Sequence, residues 1–321
     1  MEEKKALIWA YMIRLGSKMW PYWLKDYHKL DPDDFRYSDP NYLLFDKGPW
    51  DETLAKLQES GCNMLIIDLG EGMKFKSHPE LAAIGSWEQE DLKKELDRIR
   101  SMGMTPVPKL NFSAGHDDWL GVYSRMLSTP TYYEVVADVI RETAEVFGHG
   151  YFHIGMDEET FTPANLTLYH VVRCHELWWE DFNYIADNVR KAGCTPMIWP
   201  DVFWHKKEEA MKNMPKDIIM CNWYYGNFED TSKTYIKAYH WLADAEYQIM
   251  PTTTTWKRAD PENLLKTVQY CHKNLPHESI IGFMMVPWNA TIHKALPSLL
   301  RGAEKLAEAR KEWDLLESQS R

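Results

Sequence analysis

The chain of 321 residues has few of the features that mark specialised protein classes. It carries five cysteines, Cys62, Cys174, Cys194, Cys221 and Cys271, and no C-x-x-C pair. The count is odd and the positions are scattered, so neither a disulfide framework nor a cysteine zinc site is indicated. Three of the five sit in or beside apolar runs, as buried free thiols of a reducing compartment do. No run of about 18 apolar residues occurs, so no membrane span is expected. The start, Met1-Glu2-Glu3-Lys4-Lys5, leads into an apolar run that contains Arg14. No small-residue cleavage pattern follows, so a cytoplasmic location is expected. Basic blocks are missing too: 37 Lys and Arg against 48 Asp and Glu give a formal charge of −11. Such a chain is a poor partner for nucleic acid or an anionic membrane. No G-x-G-x-x-G follows the first apolar run, which leaves a dinucleotide cofactor without support.

Aromatic residues, by contrast, are abundant, with 15 Trp, 17 Tyr and 11 Phe. They serve a large core or a sugar site, and composition does not choose between these. Short apolar runs alternate with amphipathic stretches from end to end. The runs are residues 6–13, 63–69, 105–112, 151–156, 195–200, 217–223, 247–254 and 279–288. Several are continuously apolar, as strands covered on both faces are. Residues 88–102 and 132–147 carry the helical period between them. Twice a helix ends at a glycine, Gly103 or Gly193, and a strand follows within a few residues through Thr-Pro. Eight β-then-α units predict a parallel sheet closed into a (β/α)8 barrel, with a doubly wound open sheet as the alternative. One domain over residues 1–321 is expected. The longest non-periodic segment, residues 17–48, carries Trp20, Tyr22, Trp23, Tyr27, Tyr37 and Tyr42. It follows the first strand, so it belongs on the face where barrel active sites lie.

Polar residues just past the strand ends are then the candidates. They are Arg14, Glu71, Lys109, Asn111, His116, the run Asp157-Glu158-Glu159, Asp201, Tyr224, Tyr225, Trp256, Trp288 and Asn289. The densest cluster is Tyr151-Phe152-His153-Ile154-Gly155-Met156-Asp157-Glu158-Glu159. Three acids straight after a buried strand are costly unless each has solvent, a partner or a use. Neighbouring strand residues point to opposite faces, so two adjacent acids serving one pocket need an irregular backbone. Gly155 is placed to permit it. Glu159 is read as an exposed neighbour. His170, Cys174 and His175 are metal-ligand types without metal-site spacing, so no metal is expected.

His153-Ile154-Gly155-Met156-Asp157-Glu158 resembles the His-x-Gly-x-Asp-Glu signature of family 20 glycoside hydrolases, the β-N-acetylhexosaminidases. The likeness extends along the barrel in order. It takes in Leu54 to Leu65, Pro106 to Asn111 with Gly115-His116, Ile198-Trp199-Pro200-Asp201, and Ile281 to Trp288. The family's usual N-terminal α/β domain is not expected in this sequence, since the first strand is expected to start almost at Met1. The resemblance implies a (β/α)8 fold and a retaining, exo-acting hydrolase with no cofactor. Its chemistry is substrate-assisted: the sugar's own 2-acetamido oxygen attacks the anomeric carbon. By position, Glu158 is the general acid and base, and burial should raise its pKa. Asp157 would accept the acetamido N–H and stabilise the cationic intermediate. A tyrosine, Tyr224 or Tyr225, would hold the acetamido oxygen, and Tyr224 is taken as the catalytic one. Trp199, Trp223 and Trp288 would wall the pocket, and Arg14 would bind ring hydroxyls. Asp201, Asn289 and the remaining tyrosine, Tyr225, would contact the sugar as well. His116 and His153 would orient the acids. The implied partner is a small glycan or glycoconjugate with a terminal N-acetylhexosamine.

The chain departs from the family at four places. Lys109 and Asn111 replace two acids of the third strand, Glu71 stands in an altered end of the second, and Ala290 replaces an acid after Trp288. These changes bear on which sugar is held. They also support two other readings, a non-catalytic carbohydrate-binding barrel and a two-carboxylate glycosidase pairing Glu158 with Glu71 or Asp201.

Overall fold

The computed structural model describes residues 6–19, 41–159, 171–256 and 259–319. Among them are eight parallel strands, each overlapping one of the eight apolar runs. They are β1 (Ile8–Arg14), β2 (Met64–Asp68), β3 (Thr105–Lys109), β4 (Gly150–His153), β5 (Cys194–Ile198), β6 (Ile219–Met220), β7 (Thr252–Thr253) and β8 (Gly282–Met285). The ladder runs β6-β5-β4-β3-β2-β1-β8-β7. Parallel bridges Met220–Ile249 and Trp223–Thr252 close the gap between its two ends. There the Met250 N–H donates to the Met220 carbonyl at 2.9 Å, and the Thr252 N–H to the Asn222 carbonyl at 2.8 Å. The expected (β/α)8 barrel is therefore the fold.

Helices α1 (Lys47–Glu59), α2 (Gln89–Ser101), α3 (Pro130–Phe147), α4 (His175–Lys191), α5 (Asp201–His205), α6 (Lys207–Asn213), α7 (Thr234–Asp244), α8 (Asn263–Asn274) and α9 (Leu296–Gln319) cover the sheet. Local chemistry sets their ends. The Thr129 hydroxyl accepts the Tyr132 N–H at 3.3 Å with Pro130 in the first turn of α3. Helix α2 opens on Glu90 and Asp91 and closes on Arg98 and Arg100, matching its dipole. Among the described residues no helix is long and apolar enough to cross a membrane. Cys62, Cys194, Cys221 and Cys271 are buried free thiols, and Cys174 is exposed. Of the aromatic segment, Trp20, Tyr22, Trp23, Tyr27 and Tyr37 lie outside the described residues; Tyr42 is exposed and bridges to Ile84.

The strand period of two sorts side chains into two cores. Ala10, Met12, Met64, Ile66, Val107, Met197, Met250 and Met284 fill the barrel interior. Trp9, Tyr11, Ile13, Leu65, Ile67, Phe152 and Phe283 pack outward under the helices. The same alternation carries Arg14, Asp68, Lys109 and His153 inward at the carboxyl end. These four are successive register partners across β1 to β4, so they form one row.

The seam between β3 and β4 holds a single register pair, Lys109 with His153. The cause is in the sequence. Thr105 donates to Asn63, just ahead of β2, while Leu110 and Phe112 donate to His153 and Ile154 at the end of β4, at 3.0 Å each. By the period of two, Pro106 and Pro108 also face β4, and proline has no N–H to give. Pairing with β4 resumes beyond them, which draws residues 110–113 against the end of β4. There the backbone is irregular as anticipated: Gly155, Met156 and Glu158 have φ of 76°, 76° and 53°.

A buried ion cluster locks the same region. Arg173 donates to Asp181 Oδ2 at 2.9 Å, to the Phe112 carbonyl at 2.8 Å, to Glu159 Oε2 at 3.1 Å and also to Glu159 Oε1. Glu159 accepts the Ala114 N–H at 3.0 Å, and its side chain is 5% exposed. Glu159 is thus a buried tie between β4 and the loop after β3, a correction to its expected exposure. The loop and Arg173 are brought to it by the tertiary fold, and sequence position does not reveal them.

Two outcomes test this reading. Arg173→Met leaves two buried carboxylates without their cation, and should lower unfolding free energy by about 3–5 kcal/mol in a denaturant titration. A Cβ on Gly155 would sit 1.9 Å from Asn111 Oδ1 and 2.9 Å from Asn111 Cα. Gly155→Ala should therefore cost stability beyond the strain of its positive φ, by about 1–3 kcal/mol in the same titration.

Candidate active site

The inner row forms the floor. Lys109 Nζ lies 3.0 Å from Asp68 Oδ2, and Arg14 Nε lies 3.6 Å from the same oxygen. All three are buried. Burial, with Lys109 adding to it, pushes the His153 imidazole well below its ordinary pKa, so the ring is neutral. Its Nδ1 accepts the Gly155 N–H at 3.1 Å, which leaves the proton on Nε2. The ring packs on Trp199 at 4.3 Å between centroids.

The acids stand above this floor. Asn111 Nδ2 donates to Asp157 Oδ1 at 2.9 Å. Asn111 is itself fixed by the Ser113 N–H, which donates to its Oδ1 at 3.0 Å, and by the Trp119 indole, which donates to its carbonyl at 2.7 Å. The Ser113 hydroxyl donates to the Asp157 carbonyl. His116 Nε2 lies 3.5 Å from Asp157 Oδ2 and 3.1 Å from Glu158 Oε2. Burial would lower the His116 pKa, but the two carboxylates outweigh it and raise it. Burial raises Asp157, against the opposing pull of His116.

Glu158 differs from the expectation. Its side chain is 48% exposed, and the His116 hydrogen bond holds its carboxyl below the ordinary value. The expected rise required burial, and the positive φ at Glu158 instead turns the side chain toward the opening. Asp201, at the start of α5, accepts the Glu158 backbone N–H at 3.1 Å and the Trp223 indole N–H at 3.0 Å. It positions those two groups. Burial beside Asp157 and Glu158 pushes its carboxyl well up, and the hydrogen bonds it accepts oppose that.

The aromatic wall is Trp199, Trp223, Tyr225 and Trp288. Trp223 stacks on Tyr225 at 4.9 Å, and Trp199 lies 5.9 Å from Trp288. The Trp288 indole donates to the Tyr225 hydroxyl at 3.0 Å. Burial pushes the Tyr225 phenol well up, with Glu158, Asp157 and Asp201 adding to the effect, so it shares their cavity. Tyr224 does not. Its hydroxyl accepts from Lys233 at 3.0 Å and its ring packs on Phe228 in the outer core. Of the two tyrosines it is Tyr225, and not the expected Tyr224, that lies beside the acids. Adjacent residues leaving a strand face opposite ways, and Trp223 already fixes the inward phase.

Three other candidates are occupied elsewhere. Glu71 accepts the Ser17 N–H at 2.9 Å and the Lys18 N–H at 3.0 Å, which makes it an anchor for the loop after β1. Asn289 accepts the Ser298 hydroxyl at 2.8 Å and ties the β8 loop to α9. Trp256 is exposed. Asp68 and Ser113 were missed by the sequence reading. Asp68 was legible, because it continues the inward series Met64, Ile66; Ser113 was not, because it meets a backbone carbonyl across a loop.

No protein-family model and no curated protein matches the chain. Solved structures do. The chain is similar to a β-N-acetylhexosaminidase from Bacteroides fragilis, with TM-score 0.63 and 16% identity over 92% of this chain and 64% of that one. An exo-β-N-acetylglucosaminidase from Vibrio harveyi in complex with N-acetylglucosamine gives 0.62 and 14%, over 98% and 58%. An N-acetyl-β-hexosaminidase from Streptomyces plicatus gives 0.61 and 15%, over 94% and 64%. The chain spans less than two thirds of each of these structures. What this likeness establishes is that the chain has the (β/α)8 fold of family 20 β-N-acetylhexosaminidases.

Proposed function

We propose that this chain is a retaining, exo-acting glycoside hydrolase of the β-N-acetylhexosaminidase type that uses the acetamido group of its substrate as the nucleophile. The observation that carries the reading is the adjacent pair at the end of β4. Asp157 is buried and held through Oδ1 by Asn111, while Glu158 reaches the opening with His116 against it. Exo action rests on the family resemblance.

The roles follow from what each group has left to offer. Asp157 Oδ2 remains to accept an acetamido N–H and to face developing positive charge. The Tyr225 hydroxyl, already accepting from Trp288, can donate its own proton to the acetamido oxygen and aim it at the anomeric carbon. Trp199, Trp223 and Trp288 give the apolar faces a sugar ring needs. Glu158 and His116 hold one proton between them in the free site, and the raised imidazole and lowered carboxyl put it on His116. A sugar that covers Glu158 excludes water and disfavours the charged pair, which moves the proton onto the carboxyl for donation to the leaving oxygen.

An ordinary two-carboxylate mechanism is disfavoured by the same accounting. Glu71 spends both oxygens on backbone N–H groups, and Asp201 spends both on Glu158 and Trp223. Asp68 is bound to Lys109 and Arg14. Glu71 and Asp201 thus have both oxygens engaged, and Asp68 is held at the floor through Oδ2.

The test is nitrophenol release from aryl β-glycosides with and without the 2-acetamido group. Turnover should require that group, and Glu158→Gln should lose at least about 100-fold in kcat. Comparable turnover of the plain glycoside, or full activity in Glu158→Gln, would sink the proposal. Asp157→Asn should also fall, by about 100-fold, through weaker charge stabilisation.

The pH profile offers a separate check. Activity needs the one proton of the His116–Glu158 pair, and that proton is lost above the raised imidazole value. His116→Ala leaves it to a lone carboxyl. The alkaline limb of kcat/KM should then move to lower pH by about two pH units, the gap between ordinary His and Glu values. An unmoved limb would place the proton elsewhere.

A further inference from the structure

Far from the acids, at the amino end of β8, three side chains from three segments converge. They are His272 near the end of α8, His277 in the turn before β8, and Glu317 near the end of α9. His277 Nδ1 lies 3.1 Å from Glu317 Oε1, and His272 Nε2 lies 3.4 Å from the same oxygen. One ligand atom from each residue fits within 4.8 Å.

The tautomers make the arrangement informative. His277 Nε2 lies 2.9 Å from the His272 backbone carbonyl, which can only accept, so Nε2 carries a proton. In the neutral ring Nδ1 is then a lone pair, and it faces a carboxylate oxygen that is also a lone-pair donor. Positive charge is needed between them. A backbone carbonyl bonded to one ring nitrogen is the usual way a metal-ligating histidine is oriented and made more basic. The two separations also match a tetrahedral site, whose ligand atoms lie about 3.3 Å apart when bonds are about 2.0–2.1 Å.

We propose that His272 Nε2, His277 Nδ1 and Glu317 bind one divalent transition ion of the zinc type, with water completing its shell. Two imidazoles and a carboxylate suit zinc, cobalt or nickel better than calcium or magnesium. The side chains are 11%, 33% and 18% exposed, so water has access to the ion. An open cavity of 560 Å³, lined in part by Gln269, Lys273 and Glu312, lies over it. Beneath it the Trp313 ring sits 5.0 Å from His272 and 5.2 Å from His277, which holds both rings in place. The ion clamps the end of α9 to the junction of α8 and β8. It is a structural site, remote from the acids, and it does not depend on the proposed activity. The five-residue spacing from His272 to His277 is not a motif that sequence reading singles out, because Glu317 joins it from a different helix.

The test uses the full chain, free of affinity tags and stripped with chelator. Zn²⁺ is titrated by calorimetry, Co²⁺ by its visible absorption, and Tm is read with and without Zn²⁺. One ion per chain is expected, with a Zn²⁺-dependent rise in Tm. His272→Ala and His277→Ala should each weaken binding by at least about 100-fold, the upper end of what losing a mere outer-shell partner costs. Glu317→Gln keeps the side-chain shape and carries the test if either histidine variant fails to fold. No stoichiometric binding would overturn the proposal. Binding that survives in all three variants would overturn it too.

Discussion

Two buried cations share one carboxylate at the floor of the barrel mouth, and the rest of the site depends on that arrangement. Arg14, Asp68 and Lys109 are register partners on adjacent strands, so strand spacing holds them together whatever their side chains prefer. Removing Asp68 would leave the buried Lys109 without its carboxylate, which is far costlier than the pair is stabilising. Burial, with the Lys109 charge adding to it, keeps His153 neutral. A neutral His153 can accept the Gly155 N–H, and that hydrogen bond helps to fix the turn of β4. The turn in Gly155, Met156 and Glu158 sends Asp157 into the interior and Glu158 toward solvent. Charge at the floor is thereby linked to the direction of each acid above it.

Residue type does not separate reacting groups from supporting ones here. Asp68, Glu71, Glu159 and Asp201 are all acids near the strand ends; the last three spend both oxygens on a cation or N–H groups, and Asp68 turns Oδ2 to Lys109 and Arg14. Asp157 keeps an oxygen toward His116, and Glu158 keeps access to solvent. A carboxylate can do chemistry when some of its acceptor capacity is unspent. By that measure two acids, Asp157 and Glu158, side by side, keep acceptor capacity toward the opening.

The prolines of β3 show how a local defect serves this end. Pro106 and Pro108 remove donors on the side facing β4, so the ladder there is thin. The partners of β4 come from further along the chain, where Asn111 and Ser113 carry side chains that meet Asp157. Lys109 and Asn111, which depart from the family pattern, are thus integral to this version of the site. Lys109 neutralises Asp68, and Asn111 holds the catalytic candidate by an amide instead of a carboxyl.

Much of this was legible without coordinates. Eight apolar runs, the glycines that end helices and the absence of any competing motif determined the barrel, because burial on both faces writes a continuous apolar signal. The run from His153 to Glu158 located the acids, and the rule that strand neighbours face apart required the irregular backbone at Gly155. What the tertiary structure decided lies past the strand ends. The choice of Tyr225 over Tyr224 followed only once the observed backbone showed that Trp223 faces inward. The burial of Glu159 depends on Arg173, and the engagement of Glu71 on residues 17 and 18, all brought close by folding. The lowered carboxyl of Glu158 depends on His116, forty-two residues earlier in the chain. A sequence determines which groups are present and which face a strand presents, but proton affinities are set by neighbours that only the folded chain assembles.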